Sequence, residues 1–151
     1  MPAAPGLEAI EPFLREIMDA VEPRERKNLV DKLMRFARRA NAQRIAANAT
    51  PEGGKMAARK TGRAKRGKMF RRIGKASSLK IRTTPDMGEL RFSNPLVEST
   101  AAVHHHGLEG FVGKTPSGRV IRTKYQAREL LGFGKEQELF VDEVLKHLAG
   151  D

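Results

Sequence analysis

The chain has 151 residues, with 29 Lys and Arg against 18 Asp and Glu, and a pI near 10.4. It contains no Cys, which excludes disulfides, thiolate metal sites and cysteine nucleophiles. No apolar run reaches the length of a membrane span, and the N-terminus lacks the basic start of a secretory signal. We therefore expect a soluble protein made in a cytoplasm, folded as a single domain over residues 1–151.

Helical periodicity dominates the first third of the chain. Apolar residues recur every three or four positions from Leu7 to Val21, where Pro12 marks a suitable first turn. Pro23 opens a longer segment rich in Ala, Leu, Arg and Lys, which ends at Asn48 before a Pro- and Gly-containing turn. These patterns predict an N-terminal pair of antiparallel helices.

A basic block, Lys55–Arg82, follows the predicted helices. It holds twelve Lys or Arg and no acid, so 17 bases and 18 acids remain in the rest of the chain. Its first half has little apolar material, which predicts an extended basic loop or arm over residues 49–68. In its second half, apolar residues at helical spacing predict a short helix from about Lys68 to Ser77.

Beyond the basic block, helical spacing gives way to alternation, which predicts short antiparallel strands. Gly107 is a suitable end for a short helix between the strand pairs. The fold class is therefore α+β, with an N-terminal helical pair, a basic arm, short antiparallel hairpins and a C-terminal helix. The elements predicted after the arm are a hairpin of 79–83 and 89–93, a helix of 98–106, a hairpin of 111–113 and 119–123, and a helix of about 135–149.

The motifs that carry catalysis or metal binding are not apparent in the sequence. Three consecutive histidines, 104–106, point about 100° apart on a helix and cannot readily face one ion. We expect one of them to pack against the fold and the others to be in solvent. The glycines form no phosphate-binding loop, and Ser77 and Ser78 lie in no nucleophile elbow. We expect no enzyme activity, no cofactor and no metal.

Charge alone leaves three interpretations of the basic block open. A solvated surface is the ordinary explanation of a short charge run, but twelve bases without an acid repel one another strongly. Phosphate contacts with DNA or RNA are a second interpretation. Docking on acidic surfaces of neighbouring proteins is the third. With Phe70 as the one interleaved aromatic, base stacking is poorly supported.

Five residue strings occur in order between about residues 25 and 150: QRIAANATPEG (43–53), KMFRRI (68–73), GELRFS (88–93), AVHHHGL (102–108) and YQARELLGF (125–133). Together they resemble the phage virion morphogenesis, or tail completion, proteins of Mu-like and related temperate phages with contractile tails. Each string alone has low specificity, but five in order at this chain length are specific. Gln126 stands where that family usually has Pro, and His105 where it has Gln. An aromatic residue that the family usually has near positions 55–57 is missing.

The resemblance implies a structural virion protein, not an enzyme, that completes the head-proximal end of the tail and takes part in head–tail joining. Its expected partners are copies of itself in an oligomeric ring, with a hexamer suggested by the six-fold tail. The other expected partners are tail tube or sheath proteins and neck or connector proteins. Non-specific contact with packaged DNA is also expected, and no membrane partner is. The expected location is the virion, after synthesis in the host bacterial cytoplasm.

Two groups of residues are candidate sites under this interpretation. The first group is expected to line a DNA lumen or to face acidic ring neighbours, and comprises Arg59, Lys60, Arg63, Lys65, Arg66, Lys68, Arg71 and Arg72.

The second group is the motif of residues 128–131. Leu130 and Leu131 are expected to pack, while Arg128 and Glu129 form pairs that fix a turn or a subunit contact. An ordinary amphipathic turn capped by glycine explains the same motif equally well.

Two other functions compete with tail completion. One is a free accessory protein that binds DNA or RNA non-specifically through residues 55–82. The other is a ribosome-associated factor, which rests on composition alone.

Overall fold

The computed structural model describes residues 12, 15–17, 19–59, 69–134 and 137–150. The predicted α+β class is confirmed, with two antiparallel hairpins between helical segments. The elements are α1 (Pro23–Ala47), a 3₁₀ turn (Ala76–Ser78), β1 (Leu79–Thr83), β2 (Gly88–Phe92), α2 (Pro95–His106), β3 (Glu109–Lys114), β4 (Val120–Lys124) and α3 (Gln137–Ala149).

The long helix α1 confirms the prediction of a helix beginning at Pro23. Its buried residues fall at helical spacing along one face, and its C-cap Asn48 has the left-handed backbone (φ 54°) common at helix ends. The preceding predicted helix is described at residues 12, 15–17 and 19, which are helical. The rest of that segment lies outside the described residues, so the pairing of the two helices stays a prediction.

The first hairpin lies against α1. Strands β1 and β2 pair in register from Leu79 opposite Phe92 to Thr83 opposite Gly88, as alternation predicted. Gly88 permits the close approach, because a Cβ added there would lie 2.5 Å from the Met34 Cγ of α1. The hydroxyl of Thr83 also donates a hydrogen bond to Asp31 on α1.

Helix α2 begins earlier than predicted. Asn94 caps it, because its side-chain oxygen accepts hydrogen bonds from the amides of Leu96 (2.8 Å) and Val97 (3.2 Å). Pro95 then occupies the first turn, where a missing N–H costs nothing. The Asn94-Pro95 pair is therefore a helix start.

The predicted helix over Lys68–Ser77 is wrong for the part that is described. Residues 69–75 form turns, and only 76–78 form a single 3₁₀ turn. Phe70 has a left-handed backbone (φ 58°), which no α-helix accommodates. Met69, Phe70 and Ile73 still pack against the core. The spacing of these apolar residues therefore indicated that they are buried but did not indicate a helix.

Two apolar clusters hold the fold together. The smaller one fixes α3 to the N-terminal half of α1 through Val144 on Leu29 and Leu33, with Phe140 beside them. The second hairpin, β3–β4, lies beyond α2 and has an irregularity between Phe111 and Gly113. The larger cluster joins α1, β1, β2 and α2 to the segments around residues 56 and 130, through Ile45, Met56, Leu79, Phe92, Ala101 and Leu130.

Candidate assembly surface and the network that supports it

Arg128 is a buried cation whose hydrogen bonds close the root of the predicted arm. Its side chain is 6% exposed. Its Nε donates to the carbonyl of Ala57 (2.7 Å) and its Nη2 to that of Ala58 (2.8 Å), while Nη1 donates to Gln126 (3.4 Å). A planar guanidinium can satisfy several carbonyls at once, so Arg128 ties the 125–133 motif to the segment that leads into the basic block.

A second buried polar group joins the same motif to α1. The side-chain oxygen of Asn41 accepts hydrogen bonds from the Gly132 amide (3.0 Å) and from Arg44 (2.7 Å), and its amide donates to Ala37 (2.8 Å). Arg44 also donates to the carbonyl of Gly132. Because a buried amide must be satisfied, this network fixes where the motif crosses the helix.

Sequence reasoning missed Asn41. The signal that could have revealed it is a polar residue at an apolar position, four residues from Ala37 and four from Ile45 on the buried face of α1.

Both leucines of the motif pack, as expected. That expectation concerned packing alone and does not bear on a role in assembly. Leu130 is fully buried in the larger cluster and Leu131 packs beside it. The partners of Arg128 are backbone carbonyls, and Glu129 is exposed. Glu52 has a pKa below its usual value because its own backbone amide and the Thr50 hydroxyl donate to its carboxylate.

The three histidines divide differently from the expectation. His104 lies between the rings of Phe70 (5.1 Å) and Tyr125 (4.5 Å). His105 accepts a hydrogen bond at Nδ1 from the amide of Leu130 (3.1 Å). Two histidines therefore pack against the fold, and His106 is the exposed one. Among the described residues, no group of three His, Asp or Glu is placed to hold a metal ion.

Burial sets the protonation of the packed histidines. Desolvation lowers the pKa of His104, and the nearby Arg128 lowers it further. Desolvation also lowers the pKa of His105, with a smaller contribution from His106 and an opposing one from Glu129. Both shifts favour the neutral imidazole, which the acceptor role of His105 requires.

A cavity of about 480 Å³ opens beside this network. His104 and Tyr125 form part of its wall, and Arg128 and Lys124 bring positive charge to it. Arg59, the last residue described before Met69, also lines it. The cavity thus lies at the root of the basic block. Its lining residues are Arg59, Met69, Phe70, His104, Thr123, Lys124, Tyr125, Gln126 and Arg128.

The candidate cationic residues are only partly described. Arg59, Arg71 and Arg72 are exposed. The other five candidates, Lys60, Arg63, Lys65, Arg66 and Lys68, lie outside the described residues.

Helix α1 adds a cationic surface that the sequence reasoning did not single out. The helix carries eight Lys or Arg against Glu25 and Asp31. Arg35, Arg38 and Arg39 line a shallow groove together with Ala76, a few residues from Arg71 and Arg72. Positive charge therefore continues from the basic block onto α1. Spacing of three and four along a helix could have revealed this stripe.

These features define a small, basic α+β protein whose distinctive chemistry lies in its cationic surface and in a buried polar network at the root of that surface. No helix among the described residues is long and apolar enough to cross a membrane. A family model described as the phage virion morphogenesis family matches residues 6–149. The chain belongs to this family.

The chain is 32% identical over 146 residues to "Tail completion protein S" of Escherichia phage P2, a match that covers 91% of this chain and 94% of the relative. No solved structure matches the chain.

Proposed function

We propose that this chain is a structural protein of the phage tail that completes its head-proximal end and takes part in joining it to the head. The observation that carries this proposal is a match along nearly the whole length of a protein named for tail completion, within a family named for virion morphogenesis.

The proposal includes a ring of identical subunits, most simply a hexamer, around the channel for DNA. The continuous positive charge supports it, since a duplex moving through a ring meets phosphate contacts that are non-specific and screened by salt. Arg71, Arg72 and the α1 arginines are the described residues assigned to this role. Tail tube or sheath proteins and neck or connector proteins lie on either side of the ring.

In this proposal, residues 49–68 form an arm that reaches a neighbouring subunit. Its root is held firmly: Ala49 and Lys55 form a backbone bridge, Met56 is buried, and Arg128 binds the carbonyls of 57 and 58. A fixed root followed by a dense run of charge suits a segment whose partner lies outside its own subunit. The structural role needs no catalytic group, cofactor or metal.

Electron microscopy of particles assembled without this chain tests the proposal. We expect tails of faulty length or tails that fail to join filled heads, and restoration when the chain is supplied in trans. Tails of normal length, joined normally to heads, would overturn it.

The competing function, a free DNA- or RNA-binding accessory protein, makes a different prediction. Such a protein binds nucleic acid but is absent from purified virions. Mass spectrometry of purified particles separates the two, because a tail completion protein must be present at a few copies per particle.

A further inference from the structure

The second hairpin presents an apolar and basic face to solvent. Residues alternate between the two faces of a strand, so Val120, Arg122 and Lys124 share one face of β4. Phe111 lies opposite Arg122 on that face and is 62% exposed. At the end of the hairpin near α2 the other face turns toward the fold, because a Cβ added at Gly110 would lie 2.7 Å from the Tyr125 ring, whereas Ile121 on that face is 43% exposed.

This outward face is cationic as well as apolar. Lys114, Arg122 and Lys124 surround Phe111 and Val120, against one acid, Glu109. A large exposed aromatic ring beside arginine is a composition typical of protein interfaces and is unusual for a freely solvated strand.

Helix α3 presents the complementary chemistry. Its buried face carries Val144 and Phe140, and residues 138, 142, 145 and 149 follow one another along the opposite face. That face holds the carboxylates of Glu138 and Asp142 and the side chain of Leu145, which is 47% exposed. Asp142 forms an ion pair with Lys146 of the same helix at 2.7 Å. The helix carries three acids and one Lys.

The two surfaces have different supports in the fold. Helix α3 packs on α1 through Val144, and Lys32 of α1 bonds Glu143 of α3 at 2.6 Å. The hairpin packs beside α2, where Leu108 and Tyr125 close it by a backbone hydrogen bond of 3.1 Å. A single subunit thus offers an apolar, basic surface on one element and an apolar, acidic surface on another.

We propose that the β3–β4 hairpin of one subunit docks on the exposed face of α3 of the next subunit. Phe111 and Val120 meet Leu145, and the carboxylates of Glu138 and Asp142 face the basic residues of the hairpin. A contact between two different surfaces of the same chain is heterologous, and such contacts close into rings when the rotation fits. The inference rests on the proposed ring and names the surfaces that build it.

Charge exchange between the two surfaces tests the contact in the purified full-length chain. The hairpin variant is Arg122→Glu/Lys124→Glu, and the helix variant is Glu138→Lys/Asp142→Lys. Each alone places like charges across the interface, so we expect the dissociation constant of the oligomer to rise at least tenfold. The variant that combines all four substitutions restores opposite charges, and we expect most of the affinity to return. Analytical ultracentrifugation over a concentration series measures the constants.

A matched control, Lys80→Glu/Arg91→Glu, makes the same change in net charge as the hairpin variant, on exposed residues outside both surfaces and outside the proposed arm of residues 49–68, and is expected to leave association unchanged. Circular dichroism melts verify that each variant is folded. If the combined variant remains as weak as the single ones, or if the wild-type chain is monomeric at 100 micromolar concentration, the proposed contact is wrong. If the wild type forms a ring that neither double variant weakens, the ring stands and this contact falls. Weakening by the hairpin variant alone would contradict the contact with α3, because the hairpin would then meet a different surface of the neighbouring subunit.

Discussion

At the scale of single residues, Arg128 shows how one side chain links three distant parts of the chain. It is buried, it carries a charge, and its donors bind the carbonyls of residues 57, 58 and 126. Burying a guanidinium is unfavourable unless such partners compensate it. The fixed geometry of a planar fork is therefore needed at this position, and a shorter or less branched cation cannot replace it.

We expect Arg128→Ala to lower the free energy of unfolding by about 3 kcal/mol, because hydrogen bonds from a charged donor are removed and two carbonyls are left without a partner. Arg128→Lys should recover only part of this, since an ammonium group cannot bind both carbonyls in the same geometry. Urea unfolding followed by circular dichroism measures both. Arg119→Ala, at an exposed position, is the control and should change stability by less than about 0.5 kcal/mol. A loss for Arg128→Ala no larger than that of the control would contradict the role assigned to the guanidinium.

The packed histidines predict a pH dependence whose sign follows from their pKa shifts. Both His104 and His105 have pKa values lowered by burial, so the unfolded chain takes up protons first as pH falls. Their contribution to stability is complete above the unfolded pKa of about 6.5 and is lost as pH falls through the lower folded pKa values. Chemical denaturation at pH 7.5 and 5.5 should show the lower stability at pH 5.5.

Replacing His105 by Gln separates the hydrogen bond from the titration. A glutamine oxygen can accept the hydrogen bond from the Leu130 amide without taking up a proton. We therefore expect His105→Gln to retain stability at pH 7.5 and to lose less of it on acidification. The reverse result, equal or greater sensitivity to acid, would mean that His105 does not contribute to the pH dependence.

At the scale of elements, α3 has a buried and an exposed face with separate roles. Val144 packs on Leu29 and Leu33, whereas the adjacent Leu145 is exposed. We expect Val144→Ala to reduce the free energy of unfolding by about 2 kcal/mol, from the removal of two buried methyl groups. Leu145→Ala should leave that free energy nearly unchanged and should weaken subunit association instead. Unfolding and sedimentation of the two variants measure both effects, and equal loss of stability in the two would contradict this division.

Elements with a clear local pattern could be predicted from the sequence. Alternation and helical spacing identified α1, both hairpins and the closing helix, because each buries one regular face. The 68–77 segment could not be predicted, since its apolar residues are buried by a left-handed turn at Phe70 that tertiary packing imposes. The contact of Asn41 with Gly132 joins residues 91 positions apart, a separation that no local pattern reports.

The candidate site was predictable only in part for the same reason. Leu130 was expected to pack because it is apolar within a short motif, and it does. The partners of Arg128 could not be anticipated, since backbone carbonyls leave no trace in residue identities. The arginine stripe of α1 follows helical spacing in the sequence and could have been predicted. The basic block carries a larger charge and was the stronger signal.

At the scale of the whole molecule, the continuous cationic surface predicts non-specific binding of duplex DNA. Neutralising Arg35, Arg38 and Arg39 together to Gln should lower the salt slope of binding by about 2–3, close to 0.9 for each phosphate that the protein no longer neutralises. Binding titrations on two unrelated duplexes at several salt concentrations measure the slope and should give equal affinities. A triple Gln variant of Arg91, Arg119 and Lys146, which are exposed and lie outside the basic block and α1, removes the same charge elsewhere as a control. An unchanged slope for the α1 variant would exclude this stripe from DNA binding.

Electron cryomicroscopy of the intact virion, centred on the junction between tail and head, tests most directly whether this chain closes the tail as a ring. We predict a ring of its copies at the head-proximal end of the tail, with the basic segment turned toward the DNA channel or toward acidic neighbours and with β3–β4 of each subunit on α3 of the next. A virion with no copy of the chain at that junction, or with copies only at the far end of the tail, would contradict the proposed function.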